Sequence, residues 1–539
     1  QVPGMILADE MGLGKTLQTL CFLDALAAAS PESTTPSLIV VPASLLDVWV
    51  SEAARWTPAL TVMKYHASGG TDRDLLRDEF FEEPGRYRLI VTTATAVNCK
   101  DDQKYFFRRV NFDYCICDEA HNFKNASSLR HKELATVVRC RRRLLLTGTP
   151  VQNSLTELVT LLGFALHEHR EVYADLQAIQ EQPLSRAMAQ VQEVAAPLIL
   201  RRLKGDVLTE LPEKRGVVTR LEMCEAQQAA YNAVLRQRVA KDRGKTWVQR
   251  KFFELRRVCM HPLLGKGRLN AEQAKKFIDE VIKVRPDFRA APREKVERLV
   301  ATWSDFDKHQ VAVEHSLSKE FIATREEVLA STKITELARI LKDQAARNEK
   351  TLVFSQFTQF LDVIEVALMA LGIAYQRLDG KTRIEDRGAA VDAFQAGGGP
   401  LVFLISMKCG GTGLNLTAAN TVVMMDIDFN PQNNRQAEDR VHRLGQTSEV
   451  TVHYLILKDS VEEMMLKRVL PKMKLDRQFG GYRATLEQAV ADTANAINAE
   501  KVDEDDTPIS TEEAKKRAKA YEKEVYKELT QLLSEFDDG

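Results

Sequence analysis

The sequence has few of the features that mark secreted, membrane-embedded or polyanion-coating proteins. Its eight cysteines (Cys21, Cys99, Cys115, Cys117, Cys140, Cys224, Cys259 and Cys409) are scattered, and none forms a C-x-x-C pair. That argues against a disulfide framework and against thiolate metal sites. Buried thiols in a reducing compartment are expected instead, with Cys115 and Cys117 on one face of a strand. No signal peptide opens the chain and no apolar run is long enough to cross a bilayer, so no membrane partner is expected. Charge of neither sign dominates: 75 Lys+Arg against 76 Asp+Glu leave a net charge of −1. Global charge therefore gives no argument for a polyanion, and any basic surface must be local.

What is present is a chain of 539 residues, 44% hydrophobic and 28% charged, too long for one core and too apolar for disorder. Two or three packed domains are expected. The chain opens at Gln1, a few residues before its first motif, and reads as a piece of a larger chain or complex.

Short apolar, β-branched runs alternate with helical patterns in two regions. Residues 38–41, 89–93, 114–119 and 144–149 form one set of expected strands, and residues 351–354, 401–406, 421–426 and 451–457 the other. Buried strands between helices imply parallel sheets covered on both faces, so the fold class is α/β with two lobes. From about Glu157 to Lys333 strands are hard to find. Lys, Arg, Glu and Gln are abundant there, and Pro183, Pro197, Pro212, Pro262, Pro286 and Pro292 interrupt helical patterns. After the acidic run 503–506, Ser510–Glu513 fits a capping box, and Tyr521, Val525, Leu529, Leu532 and Phe536 recur at helical spacing. That tail helix would pack on its own protein or bind a partner.

The segment A-D-E-M-G-L-G-K-T, residues 8–16, follows an apolar run and opens a helix. Gly12 and Gly14 would let backbone N–H groups curl around phosphate at the helix N-terminus. Lys15 would reach the β- and γ-phosphates of ATP, and the Thr16 hydroxyl would hold Mg²⁺. Asp9 stands where the general pattern has its first glycine, so the motif is incomplete by itself. Asp118-Glu119-Ala120-His121 ends an expected strand, where parallel sheets present active residues. Two adjacent carboxylates there cannot both be core, because an unpaired buried carboxylate costs several kcal/mol. Asp118 would hold Mg²⁺ through water, and Glu119 would orient and deprotonate the attacking water. His121 either starts a helix and contacts the next motif, L-T-G-T-P at 146–150, or has a coupling role at this turn. Pro42 and Ser44, and Thr92 and Thr93, also end strands and suit phosphodiester contacts that read no bases.

In the second region, residues 436–446 place Arg440 and Arg443 on one helical face. They are either arginine fingers for a γ-phosphate or part of a solvated basic helix.

Taken in order, D-E-M-G-L-G-K-T, D-E-A-H, L-L-L-T-G-T-P-V-Q-N, I-L-R-R-L-K-G-D-V (199–207), R-L-D-G-K-T (377–382), G-L-N-L-T-A-A-N (413–420) and the 436–446 segment resemble the SWI/SNF-type remodeling ATPases of the two-lobed helicase superfamily. V-P-A-S (41–44), F-S-Q-F-T (354–358) and D-I-D-F-N-P (426–431) are similar to the SMARCAD subfamily of nucleosome remodelers. The resemblance runs from Gly4 to about Lys467, and that family carries Asp9. It implies two RecA-like lobes with helical insertions and a C-terminal helical tail. The implied boundaries are lobe 1 at 1–215 (helical protrusion from about 157), a linking helical insertion at 216–332, lobe 2 at 333–480 and a charged tail at 481–539. It further implies ATP with Mg²⁺, Gln446 at the nucleotide, double-stranded DNA and nucleosomes or histones as partners, and a nuclear site of action. Second-lobe DNA candidates are Ser355, Gln356, Lys381, Lys408, Asn415 and Thr417. Phe429 replaces a Trp of the wider family and would either wedge into the minor groove or pack inside. Asn434 replaces a usual Asp and Thr412 a usual Leu. The expected function is an ATP-dependent translocase that remodels nucleosomes. The rivals are a repair or recombination translocase, a chromatin-binding scaffold with weak ATPase, and a strand-separating helicase.

Overall fold

Every one of the eight expected apolar runs forms a parallel strand in the computed structural model. It describes residues 4–66, 70–123, 128–148, 155–166, 195–208, 210–236, 245–410 and 414–467, with isolated positions 178, 190 and 193. The expected tail at 481–539, with Thr149, Pro150 and Thr412, lies outside the described residues.

The first sheet joins β1 (Gly4–Leu7), β2 (Ser37–Val41), β3 (Val62–Tyr65), β4 (Leu89–Thr93), β5 (Phe112–Cys117), β6 (Cys140–Leu146) and β7 (Ile199–Leu200), in the order β3-β4-β2-β5-β6-β1-β7. The second joins β8 (Lys214–Leu221), β9 (Lys350–Ser355), β10 (Tyr375–Leu378), β11 (Val402–Ser406), β12 (Ala419–Met424) and β13 (Val450–Leu457), in the order β10-β11-β9-β12-β13-β8. All pairings are parallel.

Strand alternation explains why both faces are covered. Leu38, Val40, Cys115 and Cys117 enter one core of the first sheet, while Ile39, Val41, Tyr114 and Ile116 enter the other. Cys115 and Cys117 thus share a face, with their Sγ atoms 4.0 Å apart. In the second sheet Leu352 and Phe354 face one core and Val353 the opposite one. Each such buried Leu, Ile, Val or Phe stabilises by about 1.5–3 kcal/mol relative to exposure, so the sheets are rigid platforms for their C-terminal edges.

The stretch read as strandless holds two strands. β8 crosses the expected 215/216 boundary and pairs with β13 along its whole length, from Lys214 opposite Val450 to Leu221 opposite Leu457. Its K-R-G-V-V-T-R-L sequence lies among Lys- and Glu-rich segments that mask a β signal, and its residues are only half-buried at the sheet edge. Beyond it, Phe277, Ile278, Val281, Phe288, Val296, Val300 and Phe321 build a separate helical core. No described helix is long and apolar enough to cross a membrane.

Candidate active site

The phosphate loop leaves β1 at the C-terminal edge of the first sheet and ends where helix α1 (Lys15–Ala29) begins. Gly12 (φ 90°) and Gly14 (φ 73°) both adopt the left-handed conformation that only glycine takes without strain. Gly14 caps α1 with no side-chain hydrogen bond, so the first N–H groups of the helix are not taken up by a capping side chain. Lys15 donates to the Asp9 carbonyl at 2.8 Å and to the Glu10 carbonyl at 3.4 Å. Burial pushes its pKa down, against the pull of the Glu119, Asp118 and Asp9 carboxylates.

Asp9 has a structural task. Its carboxylate is fully buried and accepts from the Arg202 backbone N–H at 3.0 Å, from the Arg202 guanidinium Nε at 3.1 Å and Nη2 at 2.5 Å, and from Gln18 at 3.1 Å. Burial alone would raise its pKa, but these donors outweigh it and hold the carboxyl below its ordinary value. Backbone bonds from Ala8 to the Leu200 carbonyl (2.7 Å) and from Glu10 to the Arg202 carbonyl (2.9 Å) continue the attachment. The residue that makes the motif look defective thus fastens the loop to the I-L-R-R-L-K segment.

Asp118 and Glu119 follow β5 directly. The Trp49 indole N–H, from helix α2 (Leu46–Trp56), donates to Asp118 Oδ2 at 2.9 Å, and the Glu119 backbone N–H donates to Asp118 Oδ1 at 2.8 Å. Burial and the adjacent Glu119 charge still push Asp118 up to about 6. For Glu119, burial raises the pKa, but His121, Arg440 and Lys15 overcome it and the net shift is downward. Glu119 has φ 47°, a conformation costing a non-glycine residue on the order of 1–3 kcal/mol. That turn aims its side chain at His121, whose Nδ1 is 3.2 Å from Glu119 Oε2. His121 lies in the short turn Ala120–Phe123, and its ring faces the acid.

The second lobe meets this edge through residues that lie beyond a helix, which corrects the expectation of one helical face at 436–446. Helix α3 (Pro431–Glu438) stops at Glu438 with Asp439 as its C-cap, and Arg440 and Arg443 occupy the turns that follow. The Leu416 backbone N–H, which bonds the Arg440 carbonyl at 3.1 Å, helps to fix those turns. Arg440 is buried, and its charge acts on Glu119 and Asp118. Arg443 reaches the phosphate loop itself: a Cβ on Gly12 would stand 2.8 Å from Arg443 Cβ. Burial lowers the pKa of both arginines. Lys15, Asp118, Glu119, Arg440, Arg443 and Gly12 therefore line one cleft.

Gln446 is used by the fold. Its amide donates to the Ala419 carbonyl at 2.8 Å and the Thr417 carbonyl at 3.2 Å, and its oxygen accepts from the Thr447 and Ser448 N–H groups at 2.9 Å. With both ends of the amide engaged, it braces the arginine-bearing turns rather than presenting a group to nucleotide.

The expected DNA residues separate into two kinds. Thr92 is buried and donates to the Tyr65 carbonyl at 2.8 Å, while buried Thr93 caps the next helix by accepting from Ala96 N–H at 3.2 Å. Ser355 is buried and donates to Asp426. These hydroxyls are committed inside the lobes because the strand ends are themselves covered. Phe429 is half-buried, with its ring 5.6 Å from Phe252 and 5.7 Å from the Arg256 guanidinium, which favours packing over the wedge. Asn434 is buried and its Oδ1 accepts from Asp428 N–H at 3.2 Å. Lys381, Lys408 and Asn415 are exposed, and Pro42, Ser44, Gln356 and Thr417 are half-buried.

Three residues at the site were not singled out from sequence. Trp49 reads as core in an apolar helix, and only its N–H contact reveals another task. Lys204 and Asp439 lie in quoted motifs, but nothing in their spacing shows that they meet, at 2.7 Å across the lobes.

Among proteins of known family, the SNF2-related domain matches residues 1–264 and the helicase conserved C-terminal domain matches residues 332–445. The chain is similar to the SWI/SNF-related matrix-associated actin-dependent regulator of chromatin subfamily A containing DEAD/H box 1 of Rattus norvegicus and of Homo sapiens, each 37% identical over 88% of this chain and 47% of the relative. Its Drosophila melanogaster homolog is 35% identical over 88% of this chain and 58% of the relative. A crystal structure of the C-terminal part of the Fun30 ATPase domain is 29% identical, with a TM-score of 0.45, covering 53% of this chain and 99% of that one. The chain thus spans about half the length of the curated relatives it matches. With two parallel-sheet lobes meeting over a phosphate loop and a D-E-A-H turn, the chain belongs to the SNF2-related, helicase-like family.

Proposed function

We propose that this chain is the motor of an ATP-dependent double-stranded DNA translocase that remodels nucleosomes in the nucleus. The observation that carries the reading is the composite cleft, in which Arg443 packs over Gly12 of the phosphate loop and the charge of Arg440 bears on Glu119. Relatives named as regulators of chromatin support the substrate class.

In this reading the Gly12–Gly14 backbone cradles the phosphates of ATP and Lys15 leaves the Asp9 and Glu10 carbonyls to reach them. Glu119, kept ionised by its cationic neighbours, takes a proton from the attacking water. Arg440 and Arg443 steady the charge that develops on the transferred phosphoryl group. Thr16, the second residue of α1 and half-buried, and Asp118 supply hard oxygen donors beside Lys15, a set that fits Mg²⁺. Bound there, Mg²⁺ would neutralise phosphate charge. Because the charged groups are divided between the two lobes, turnover depends on lobe closure, and closure alternating with opening moves the lobes along DNA. Lys381, Lys408, Asn415 and Ser44 are the exposed or half-exposed phosphate contacts we assign. The lobes we assign meet near residue 214, with residues 222–332 a helical insertion carried by the second.

The test is ATP turnover without DNA, with duplex and with nucleosomes. Turnover stimulated by duplex and further by nucleosomes is expected, and Lys15→Ala or Glu119→Gln should abolish it in a protein that still melts cooperatively. Normal turnover in either variant would overturn the site. Equal stimulation by naked duplex and nucleosomes would favour a repair translocase over a remodeler.

A further inference from the structure

We infer that Lys204 is a positioning residue for ATP turnover, a strut that fixes the arginine-bearing turns of the second lobe against the phosphate loop of the first. The inference rests on the proposed reading of the cleft.

Lys204 begins a short helical turn in the I-L-R-R-L-K-G-D-V segment and is 4% exposed. Its backbone N–H donates to Glu10 Oε2 at 2.7 Å, inside the phosphate-loop segment. Its ammonium crosses to the other lobe, donating to Asp439 Oδ1 at 2.7 Å and to the His442 carbonyl at 2.5 Å. The two acceptors are the chain neighbours of Arg440 and Arg443, so one ammonium fixes the backbone on which both arginines ride. The stem touches the loop as well: a Cβ on Gly12 would lie 3.1 Å from Lys204 Cε.

Neighbouring contacts act in the same sense. Lys214 bonds Glu438 at 2.9 Å and lies 4.0 Å from Asp439, and the His442 ring donates to the Pro212 carbonyl at 2.8 Å. Arg202, two residues before Lys204, holds Asp9. The run from Arg202 to Lys214 therefore grips the phosphate loop at one end and the arginine turns at the other. A buried ion pair costs about as much in desolvation as it returns in attraction, so it contributes little net stability. What it does fix is geometry, and here that geometry is the approach of two arginines to a phosphate-binding loop.

The experiment uses the full chain with saturating duplex DNA and compares Lys204→Met, Asp439→Asn and the double variant with the parent. Steady-state turnover gives kcat and KM for ATP, binding of a fluorescent ATP analogue gives affinity, and thermal melting reports folding. Loss of positioning lowers kcat by about tenfold or more while KM and analogue affinity stay within about threefold, because the loop still binds phosphate. The double variant is then no slower than the worse single. Asp439→Asn preserves shape and decides the matter if Lys204→Met does not fold. A folded Asp439→Asn or Lys204→Met protein with kcat within twofold of the parent overturns the inference, as does a loss confined to KM. Lys15→Ala and Arg440→Ala serve as controls. If they leave turnover unchanged the reading of the cleft itself fails, whereas loss in both with normal Lys204→Met turnover sinks the strut alone.

Discussion

Replacing Trp49 by Phe keeps a ring in the core of the first sheet but removes the one indole N–H that reaches Asp118 Oδ2, at 2.9 Å. Asp118 is the carboxylate assigned to Mg²⁺, and burial together with the Glu119 charge already pushes its pKa up to about 6. The Trp49 N–H, the Glu119 backbone N–H and Lys15 are what hold the ionised form. A hydrogen bond to a charged group is worth about 1.5–3 kcal/mol, or roughly 10- to 100-fold in the ionisation equilibrium. At pH 7 the parent carboxyl is mostly ionised, whereas in Trp49→Phe a large share is protonated and cannot take the metal. The sign follows directly: raising pH restores the ligand, and lowering it removes the ligand. Turnover measured against Mg²⁺ concentration at pH 7 should show a several-fold higher half-saturating Mg²⁺ for Trp49→Phe, converging on the parent near pH 8.5. Thermal melting separates this from a loss of fold. If the Mg²⁺ dependence of the folded variant matches the parent at both pH values, Trp49 does not control Asp118 and the argument fails.

Gly12→Ala should fold but lose most turnover, because φ 90° disfavours a Cβ and that atom would stand 2.8 Å from Arg443 Cβ; lobe closure read by fluorescence transfer between labels should fall with it. Asp9→Ala removes the buried acceptor of the Arg202 backbone N–H and guanidinium, a loss on the order of 1–2 kcal/mol that a urea midpoint would register. His261 is fully buried, with Nε2 donating to the Val328 carbonyl at 2.9 Å and Nδ1 accepting from Leu263 N–H at 3.1 Å, so the fold needs its neutral ring. Burial lowers its pKa to about 4. The unfolded chain therefore takes up the proton first as pH falls, and stability is lost between about pH 6.5 and 4, amounting to about 2 kcal/mol from pH 7 to pH 5. Urea titrations should show a smaller acid-side loss in His261→Leu than in the parent.

Much of this site could be seen in the sequence because its chemistry depends on residue types at strand ends. The eight apolar runs became strands, since β-branched residues flanked by helical patterns leave few alternatives. β8 escaped because a half-buried edge strand with Lys and Arg lacks the continuous apolar signal of a central one. The arginine pair was legible as residues but not as geometry. A three-residue spacing suggested one helical face, yet α3 ends at Glu438, where Asp439 bonds Lys204 and the Arg440 carbonyl is bonded by Leu416. Those attachments come from 235 and 24 residues away, and no local pattern encodes them.

The hydroxyls read as DNA contacts show a related limit. A Ser or Thr at a strand end exposes its group only if nothing covers that edge, and Thr92, Thr93 and Ser355 are all covered. Sequence gives the chemical capacity of such a residue, and burial decides whether solvent or phosphate can use it. Asp9 carries the same logic the other way. Read against a phosphate-loop pattern it is a missing glycine, whereas in the folded chain it receives Arg202, two residues before the lysine that crosses to the second lobe. A glycine there would leave that guanidinium without a buried acceptor and the Arg202–Lys204 run without its anchor. On the proposed reading of the cleft, the departure from the general pattern therefore belongs to the machinery that would make hydrolysis depend on two lobes, and a glycine at position 9 should loosen that dependence before it harms phosphate binding.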